Sequence, residues 1–269
     1  METIPQLTSI KQIEKQYNTG DLPVLVVCSD KEAYICKYMP STNRAYKLVC
    51  ELVGSMMAKA WHIESPATAF VRIEAAHWSG IHSPHNLSAP AWGYKKLDNV
   101  VDITPTTYNI VKKTSVLLVQ LLKISLFDFW IANEDRTYNN ANLLYDIAME
   151  KLISIDYGGI FNTSTFEYPL SQLTMTDTIL YADLFRHLAK DKSREYILNL
   201  AKGLRKYYEA CIKNSILETN YILNTIPNEW NVSRTIVEQK LNQLINSTWT
   251  EAVWMNFLEC LNDNLEDKV

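Results

Sequence analysis

The stretch of sequence that decides the fold runs from residue 133 to residue 159 and reads NEDRTYNNANLLYDIAMEKLISIDYGG. Two short apolar runs within it, residues 142–145 and 152–155, flank the loop formed by residues 146–151. This spacing predicts an antiparallel β-hairpin. Asn140 and Asp156 lie at equal sequence distances from residue 148, so we expect the hairpin to bring their side chains to the same end.

The side chains expected at that end suggest a particular chemistry. An amide oxygen from Asn140 and a carboxylate from Asp156 suit a hard cation such as Mg²⁺. Asp135, in the preceding loop, is then expected to reach over the cation toward a substrate hydroxyl. Kinases use a similar arrangement beside ATP. In it, an Asp is followed five residues later by an Asn, and farther along the chain by Asp-aromatic-Gly. The alternative is an Asx-rich turn whose side chains bond their own backbone.

Composition limits the class of protein. The chain has 269 residues and a mass of 31.0 kDa, which suits one bilobal unit or two small domains. A formal net charge of -4 and a pI near 5.8 argue against a mainly electrostatic binder of nucleic acid or membrane surfaces. The five cysteines form no CxxC pair and are expected to be reduced core thiols. No secretory signal is visible at the N-terminus, so we expect a cytoplasmic enzyme.

The character of the chain changes along its length. A helical pattern at residues 44–61 stands among strand-like patterns at residues 23–28, 33–38, 69–74 and 92–97. Beyond Pro105 helical patterns dominate, and the most apolar of them, residues 116–132, is expected to be a buried helix rather than a membrane span.

These patterns predict a bilobal α+β fold. We expect a small, mostly antiparallel lobe at residues 1–97, a hinge at residues 98–104 and a larger helical lobe at residues 105–269.

A lysine and a glutamate of the small lobe form a second candidate pair. The period of two in a strand places Lys37 on the same face as Ile35. If that face looks into a cleft, Ile35 can pack against an adenine while Lys37 holds the α- and β-phosphates. Glu51, in the following helix, is the expected carboxylate partner. Small residues one and two turns later would let the helix face that carries Glu51 approach the sheet. The alternative is that Lys37 and Glu51 are each an ordinary solvent-exposed surface charge.

Two other clusters have simpler interpretations. His77, His82 and His85 lie close together, but no Cys or Glu partner stands at zinc spacing, so a solvated loop is favoured over a metal site. Residues 163–165, just after Asp156, occupy the place of a kinase activation segment, although exposed Ser and Thr are common in any loop.

The chain resembles the HipA-like kinases, especially the stand-alone HipA-like kinase domain proteins. The matching motifs are GDLP at residues 20–23, YICK at 34–37, CELVGSMMA at 50–58, NEDR at 133–136 with Asn140 and Asn142, IDYG at 155–158 and IPNEW at 226–230. The resemblance therefore spans about residues 19–230. It implies a kinase-like fold with ATP between the lobes.

The resemblance also implies roles for individual residues. Asp135 resembles the catalytic base that accepts the proton of the substrate hydroxyl. Asn140 and Asp156 resemble the Mg²⁺ ligands, and Lys37 with Glu51 resembles the ion pair that holds the phosphates.

The loop over the phosphates is expected at Thr19, Gly20 and Asp21. The chain departs from the family pattern at two points. Thr137 stands where the family often has His, so the loop must be oriented by another residue, for which Arg136 is the candidate. Gly20 stands alone where several glycines are usual.

The favoured function is Mg-ATP-dependent transfer of the γ-phosphoryl group to a hydroxyl, with Ser or Thr of a protein as the first choice. A small molecule or a lipid head group is the alternative acceptor. From a different class, the chain could be a nucleotide-binding pseudokinase that serves as an interaction module. The expected cofactors and ligands are ATP and Mg²⁺, the substrate is unknown, and neither nucleic acid nor membrane is expected as a direct partner.

Overall fold

The computed structural model describes residues 3–41, 45–78, 80–81, 84 and 86–266. The strands of its first part are β1 (Gln6–Thr8), β2 (Lys15–Gln16), β3 (Val24–Val27), β4 (Ala33–Lys37), β5 (Thr68–Arg72) and β6 (Ala91–Lys95). Helix α1 (Ala45–Ala60) connects β4 to β5. The six strands form one sheet in the order β1-β5-β6-β4-β3-β2, in which β1 is parallel to β5 and the other neighbours are antiparallel.

The two faces of this sheet differ because strand residues alternate in direction. On one face, Val24, Val26 and Cys36 join a separate hydrophobic cluster. On the other face, Leu25, Ile35 and Tyr94 are cross-strand neighbours in successive strands. Lys37 shares this second face, which is the face that α1 covers.

The second part contains a small sheet and a set of helices. Strands β7 (Val100–Asp102), β8 (Leu143–Asp146) and β9 (Lys151–Ser154) form an antiparallel sheet in that order. The helices are α2 (Ser115–Ile131), α3 (Ile160–Ser164), α4 (Asp183–Ala189), α5 (Arg194–Gly203), α6 (Arg205–Thr225), α7 (Arg234–Leu244) and α8 (Ser247–Glu266).

Helix α2 is apolar around most of its circumference, and it is buried as a helix of that kind must be. The Thr114 side chain caps its first turn by accepting a hydrogen bond from the Leu117 amide, and Ala132 ends it in a left-handed conformation. Among the described residues, no helix combines the length and apolar character needed to cross a membrane.

The largest hydrophobic core joins α1 to the helical part of the chain. Trp61, directly after α1, is fully buried, and its ring lies 4.9 Å from that of Trp130 and 5.2 Å from that of Phe127. Its indole nitrogen donates to Ser215 Oγ on α6 at 3.0 Å. Because α1 carries Glu51, this packing fixes the position of Glu51 relative to the helical part of the chain.

The predicted α+β fold class is confirmed. The four predicted strands, the helix at 44–61 and the buried helix at 116–132 are all present with ends that differ by at most a few residues, and the hairpin is present as well. The short strands β1 and β2 were not predicted, because strands of two or three residues leave no alternating pattern in the sequence. The segment predicted as a hinge contains β7, which pairs with β8 of the hairpin.

The register of the hairpin differs slightly from the prediction. Leu143 pairs with Ser154 and Asp146 with Lys151, so the turn is centred between residues 148 and 149 rather than on residue 148. The Ile155 amide donates to the Asn142 carbonyl at 3.1 Å. Asn142 therefore stands directly beside the residue that precedes Asp156, while Asn140 lies two residues farther out.

Candidate functional site

Asp135 lies in the loop before the hairpin, and two asparagine side chains hold its carboxylate. Asn140 Nδ2 donates to Asp135 Oδ1 at 3.1 Å, and Asn142 Nδ2 donates to Asp135 Oδ2 at 3.0 Å. Asn142 Nδ2 also lies 3.4 Å from the Asp135 carbonyl oxygen. Because both amides use their nitrogens on Asp135, their oxygens are the atoms left to face a cation. Sequence reasoning missed the contacts of Asn142, although Asn142 belongs to the matching motif.

The loop that carries Asp135 is anchored by a buried ion pair. Arg136 is fully buried, and its Nε donates to Asp128 Oδ2 at 2.8 Å. Its Nη2 donates to Ser154 Oγ at 2.7 Å, and its Nη1 donates to the backbone carbonyls of Asn142 and Ile155, two residues that face each other at the open end of the hairpin. Arg136 thus ties the loop of Asp135 to α2 and to the hairpin.

Asp128 was not identified from the sequence as part of the site. It is a buried carboxylate in the last turn of the mostly apolar helix α2, and that contrast is the signal that could have revealed it. Asn133 Nδ2 donates to its second oxygen at 2.9 Å. Burial raises the pKa of Asp128, and the neighbouring Arg136 opposes this change.

Lys37 lies at the centre of a cluster of three carboxylates. Its Nζ is 2.5 Å from Glu51 Oε1, 2.6 Å from Asp156 Oδ1 and 3.8 Å from Asp21 Oδ2. Only 8% of Lys37 is exposed, and 1% of Glu51. A buried lysine that is so closely paired is held in one position, and Glu51 faces the sheet rather than the solvent.

The charges of this cluster shift one another's pKa values. Burial alone would lower the pKa of Lys37, but the carboxylates of Glu51 and Asp156 outweigh it and raise the pKa. Burial would raise the pKa of Asp156, yet the ammonium group of Lys37 lowers it below the ordinary value. Burial raises the pKa of Glu51, and Lys37 opposes this change. Lys37 is therefore charged, and Asp156 is an ionised oxygen donor.

The loop between β2 and β3 contains Thr19, Gly20 and Asp21. The Leu22 amide donates to the Thr19 carbonyl at 3.0 Å, which closes a tight turn. Thr19 and Gly20 are exposed at its tip. Asp21 points back toward the cluster, since its Oδ2 lies 3.8 Å from Lys37 Nζ, and its Oδ1 lies 3.0 Å from Lys47 Nζ. The loop therefore reaches the Lys37 cluster through the Asp21 carboxylate.

Ile35 lies two residues before Lys37 and on the same face of β4. It is half-buried between its cross-strand neighbours Leu25 and Tyr94. The structure thus places Ile35 beside the Lys37 cluster, as the strand period predicted.

The segment after Asp156 brings the Lys37 cluster and Asp135 together. The Tyr157 amide donates to Glu51 Oε2 at 3.0 Å. A Cβ atom on Gly158 would lie 2.9 Å from Glu51 Oε1, and one on Gly159 would lie 2.4 Å from the Cβ atom of Asp135. Both glycines are thus required by close approach, and they let one segment contact the ion pair on one side and the loop of Asp135 on the other.

Gly54 allows α1 to pack directly on this segment. A Cβ atom on Gly54 would lie 2.2 Å from Tyr157 Cβ. The sequence predicted that small residues near Glu51 would let α1 approach the sheet, and at Gly54 the close neighbour is Tyr157 instead.

We expect Gly54→Ala to lower the free energy of unfolding by about 1–3 kcal/mol, because the added methyl group overpacks a rigid contact. The control is Gly203→Ala in α5, where a Cβ atom meets nothing within 4 Å. That substitution should stabilise the protein by up to about 1 kcal/mol through helix propensity. The measurement is chemical denaturation of both variants, and a Gly54→Ala variant as stable as Gly203→Ala would contradict the packing.

The short element α3 is a compact left-handed turn rather than a regular α-helix. Phe161, Asn162, Thr163 and Ser164 all have positive φ angles, between 52° and 63°. Asn162 Nδ2 and Thr163 Oγ1 donate to the two oxygens of the Glu134 carboxylate, at 2.8 and 2.7 Å. The turn predicted to occupy the place of an activation segment is therefore tied to the residue before Asp135.

The histidine cluster gives no evidence of a metal site. His77 Nδ1 lies 2.7 Å from Ser9 Oγ, while His82 and His85 lie outside the described residues. Within the described part of the chain, no group of three or more His, Cys, Asp or Glu side chains is arranged to hold a metal.

Two cavities lie near α1. One of about 780 Å³ lies between α1, the start of β5 and α6, and none of the predicted site residues lines it. A much smaller one is lined by residues that include Asp21, Lys37, Lys47 and Glu51. We place the candidate site at the smaller cavity because charged groups converge there.

The sequence and the fold match known kinases. The model of the HipA-like kinase family matches residues 10–254. The crystal structure of the Helicobacter pylori proinflammatory kinase CtkA is similar over 98% of this chain and 100% of that chain, with a TM-score of 0.53 and 13% sequence identity. The open conformation of CtTel1 matches 90% of this chain and 11% of that chain, with a TM-score of 0.35 and 10% identity, too low to support an argument. No curated protein matches the chain.

The fold and these matches define a protein of the kinase class. Because the family model covers most of the sequence, the chain belongs to the HipA-like kinase family.

Proposed function

We propose that this chain is an Mg-ATP-dependent kinase that transfers the γ-phosphoryl group to a hydroxyl, with Ser or Thr of a protein as the favoured acceptor. The observation that carries the proposal is the position of Lys37, whose Nζ lies 2.5 Å from Glu51 and 2.6 Å from Asp156. The segment that begins at Asp156 also packs closely against Asp135. A buried ammonium group that is oriented by a carboxylate is suited to holding phosphates.

Each residue of the site would have a separate role. Lys37 holds the α- and β-phosphates, Glu51 fixes Lys37, and Ile35 packs against the adenine. Thr19, Gly20 and Asp21 cover the phosphates. Asp135 accepts the proton of the substrate hydroxyl, since its carboxylate is half-buried and aligned by two amides. Catalysis would come mainly from positioning and from neutralising charge.

The oxygen donors fit Mg²⁺. Asp156 supplies an ionised carboxylate and the asparagines supply amide oxygens, and Mg²⁺ is usually held by one or two such protein ligands together with phosphates and waters. When bound, the ion would neutralise charge on the phosphates.

The partner of Asp156 in this site is either Asn140, as the sequence predicted, or Asn142. The register favours Asn142, because it is hydrogen-bonded to Ile155, the residue before Asp156, whereas Asn140 is exposed. Both residues remain in the proposal.

The test of nucleotide binding is a thermal-shift measurement with millimolar Mg-ATP. A ligand that binds only the folded state stabilises it by about 2.7 kcal/mol at one hundred times its Kd, which corresponds to a rise in Tm of roughly 5–10 °C for a chain of this size. EDTA should remove most of this rise. A correctly folded wild-type protein with no shift at all would contradict the proposal.

The same measurement separates the two asparagines. Asn142 has a φ of 45°, so Asn142→Gly removes the side chain without opposing the backbone, and Asn140→Gly is the matched variant. If Asn142 is the metal ligand, Asn142→Gly should lose most of the Mg²⁺-dependent shift while Asn140→Gly keeps it. The reverse result would assign the role to Asn140.

A nucleotide-binding pseudokinase is the second candidate function. The observation in its favour is that Gly20 is the one glycine of the phosphate-covering loop, so few backbone amides can approach the phosphates closely. Transfer assays on wild type, described in the Discussion, distinguish the two functions.

A further inference from the structure

A buried hydroxyl pair lies directly behind the Lys37–Glu51 ion pair. The Tyr94 hydroxyl oxygen is 2.5 Å from Glu51 Oε2 and 2.9 Å from Ser55 Oγ. Ser55 Oγ in turn donates to the Glu51 carbonyl oxygen at 2.6 Å. Ser55 and Tyr94 are only 4% and 6% exposed. Tyr94 has one hydroxyl hydrogen, and the carboxylate is the stronger acceptor, so Tyr94 donates to Glu51.

The carboxylate of Glu51 is held by three different parts of the chain. Oε1 accepts a hydrogen bond from Lys37 on β4, and Oε2 accepts hydrogen bonds from Tyr94 on β6 and from the Tyr157 amide. The terminal torsion of a glutamate has a broad energy minimum, so these hydrogen bonds decide which way the carboxylate plane points. Fixing Oε2 fixes the direction in which Oε1 meets Lys37.

Tyr94 is suited to this task because its own position is fixed by the sheet. It lies in β6 between Ile35 on β4 and Thr68 on β5. The sheet therefore fixes the position from which the Tyr94 hydroxyl reaches Glu51.

We propose that Tyr94 is a positioning residue that aligns the Glu51 carboxylate, and through it Lys37, for phosphoryl transfer. This inference rests on the proposed kinase function and extends it to a residue outside the predicted site. Tyr94 acts only through Glu51, so its contribution depends on the presence of that carboxylate.

The first measurement is steady-state kinetics of the Tyr94→Phe variant, which keeps the buried ring and removes the hydroxyl. A hydrogen bond to a charged group is lost, so we expect kcat to fall by about ten- to a hundredfold. The KM for ATP should stay within about threefold of wild type, because Lys37 keeps its charge and its contact with Asp156, and the loss appears in the transition state. Full kcat in Tyr94→Phe would overturn the inference.

The matched control is Tyr208→Phe. Tyr208 is also a buried tyrosine, and its hydroxyl donates to the Thr250 carbonyl at 2.8 Å, away from the site. It should lose a comparable amount of thermal stability and keep wild-type kcat. An equal loss of kcat in Tyr208→Phe would mean that the effect of Tyr94→Phe comes from stability alone, which would overturn the inference.

A double-mutant cycle tests whether Tyr94 acts through Glu51. In a Glu51→Gln background, Tyr94→Phe should change kcat by less than about twofold, because residues that act as a unit are not additive. An equal fold-change in both backgrounds would overturn the inference.

A further measurement needs no enzymatic activity. It is the rate at which Lys37 reacts with an amine-reactive ester, monitored by mass spectrometry. Tyr94→Phe should accelerate labelling in the wild-type background and not in Glu51→Gln, and unchanged labelling in both would contradict the role. A wild-type chain that neither binds Mg-ATP nor transfers phosphate would refute the proposed function, while the labelling rates would still decide the role of Tyr94.

Discussion

Asp135→Asn should leave the affinity for Mg-ATP within about threefold of wild type and lower phosphoryl transfer by about two to four orders of magnitude, the usual contribution of a general base. The substitution keeps the size of the side chain and removes the charge that accepts the substrate proton. It also places an NH₂ group opposite Asn140 Nδ2 or Asn142 Nδ2, both of which now donate to the carboxylate. The measurement pairs calorimetry of Mg-ATP binding with ³²P transfer to the protein itself and to a cell lysate.

Two further aspartates serve as comparisons for Asp135→Asn. Asp156→Asn should weaken Mg-ATP binding as well as transfer, because its carboxylate is the charge expected to face the metal ion. Asp146→Asn lies at the opposite end of the hairpin, where its side chain accepts from the Met149 amide at 2.9 Å, and it should leave both quantities unchanged.

The outcomes separate the two candidate functions. Full transfer by Asp135→Asn would show that the base lies elsewhere. A wild-type protein that binds Mg-ATP but transfers nothing to protein, lipid or small-molecule fractions would establish the pseudokinase function.

Lys37→Met should lower ATP turnover by more than about a hundredfold, because it removes the ammonium group that is expected to hold the phosphates and is shared by Glu51 and Asp156. The control is Lys31→Met in the exposed turn between β3 and β4, which should keep wild-type turnover. The measurement is the steady-state rate of phosphoryl transfer for both variants at equal protein concentration.

Folding must be checked for Lys37→Met, because removing one partner from a buried ion pair leaves its carboxylates uncompensated and costs about 3–5 kcal/mol. Circular dichroism and the Tm reveal such a loss. Lys37→Arg keeps the charge but changes its geometry, and it should fold better and still be strongly impaired. Equal turnover in Lys37→Met and Lys31→Met would remove Lys37 from the site.

The sequence predicted the local structure around the candidate site residues well. Alternation in β4 placed Ile35 and Lys37 on one face, and the apolar runs around the hairpin turn placed Asp156 at its end. These features depend on local periodicity, which a single sequence displays directly. The resemblance added roles for these residues, which remain proposals until activity is measured.

The hairpin shows the limit of local reasoning. Its existence followed from two apolar runs, but its register depends on the turn geometry and on which residues pair across it. A shift of half a residue in the centre of the turn was enough to bring Asn142, rather than Ala141, beside Ile155.

The sequence by itself determined the fold class and the local positions of Lys37, Glu51, Asp135 and Asp156. Only the tertiary structure decided the buried contacts that orient them, namely Tyr94 on Glu51, Arg136 on Asp128 and Gly54 on Tyr157. Two of these contacts join residues far apart in sequence, and all three depend on how helices and strands pack. Because no periodic pattern encodes which buried donor meets which buried acceptor, such contacts become visible only once the core that forces them together has formed.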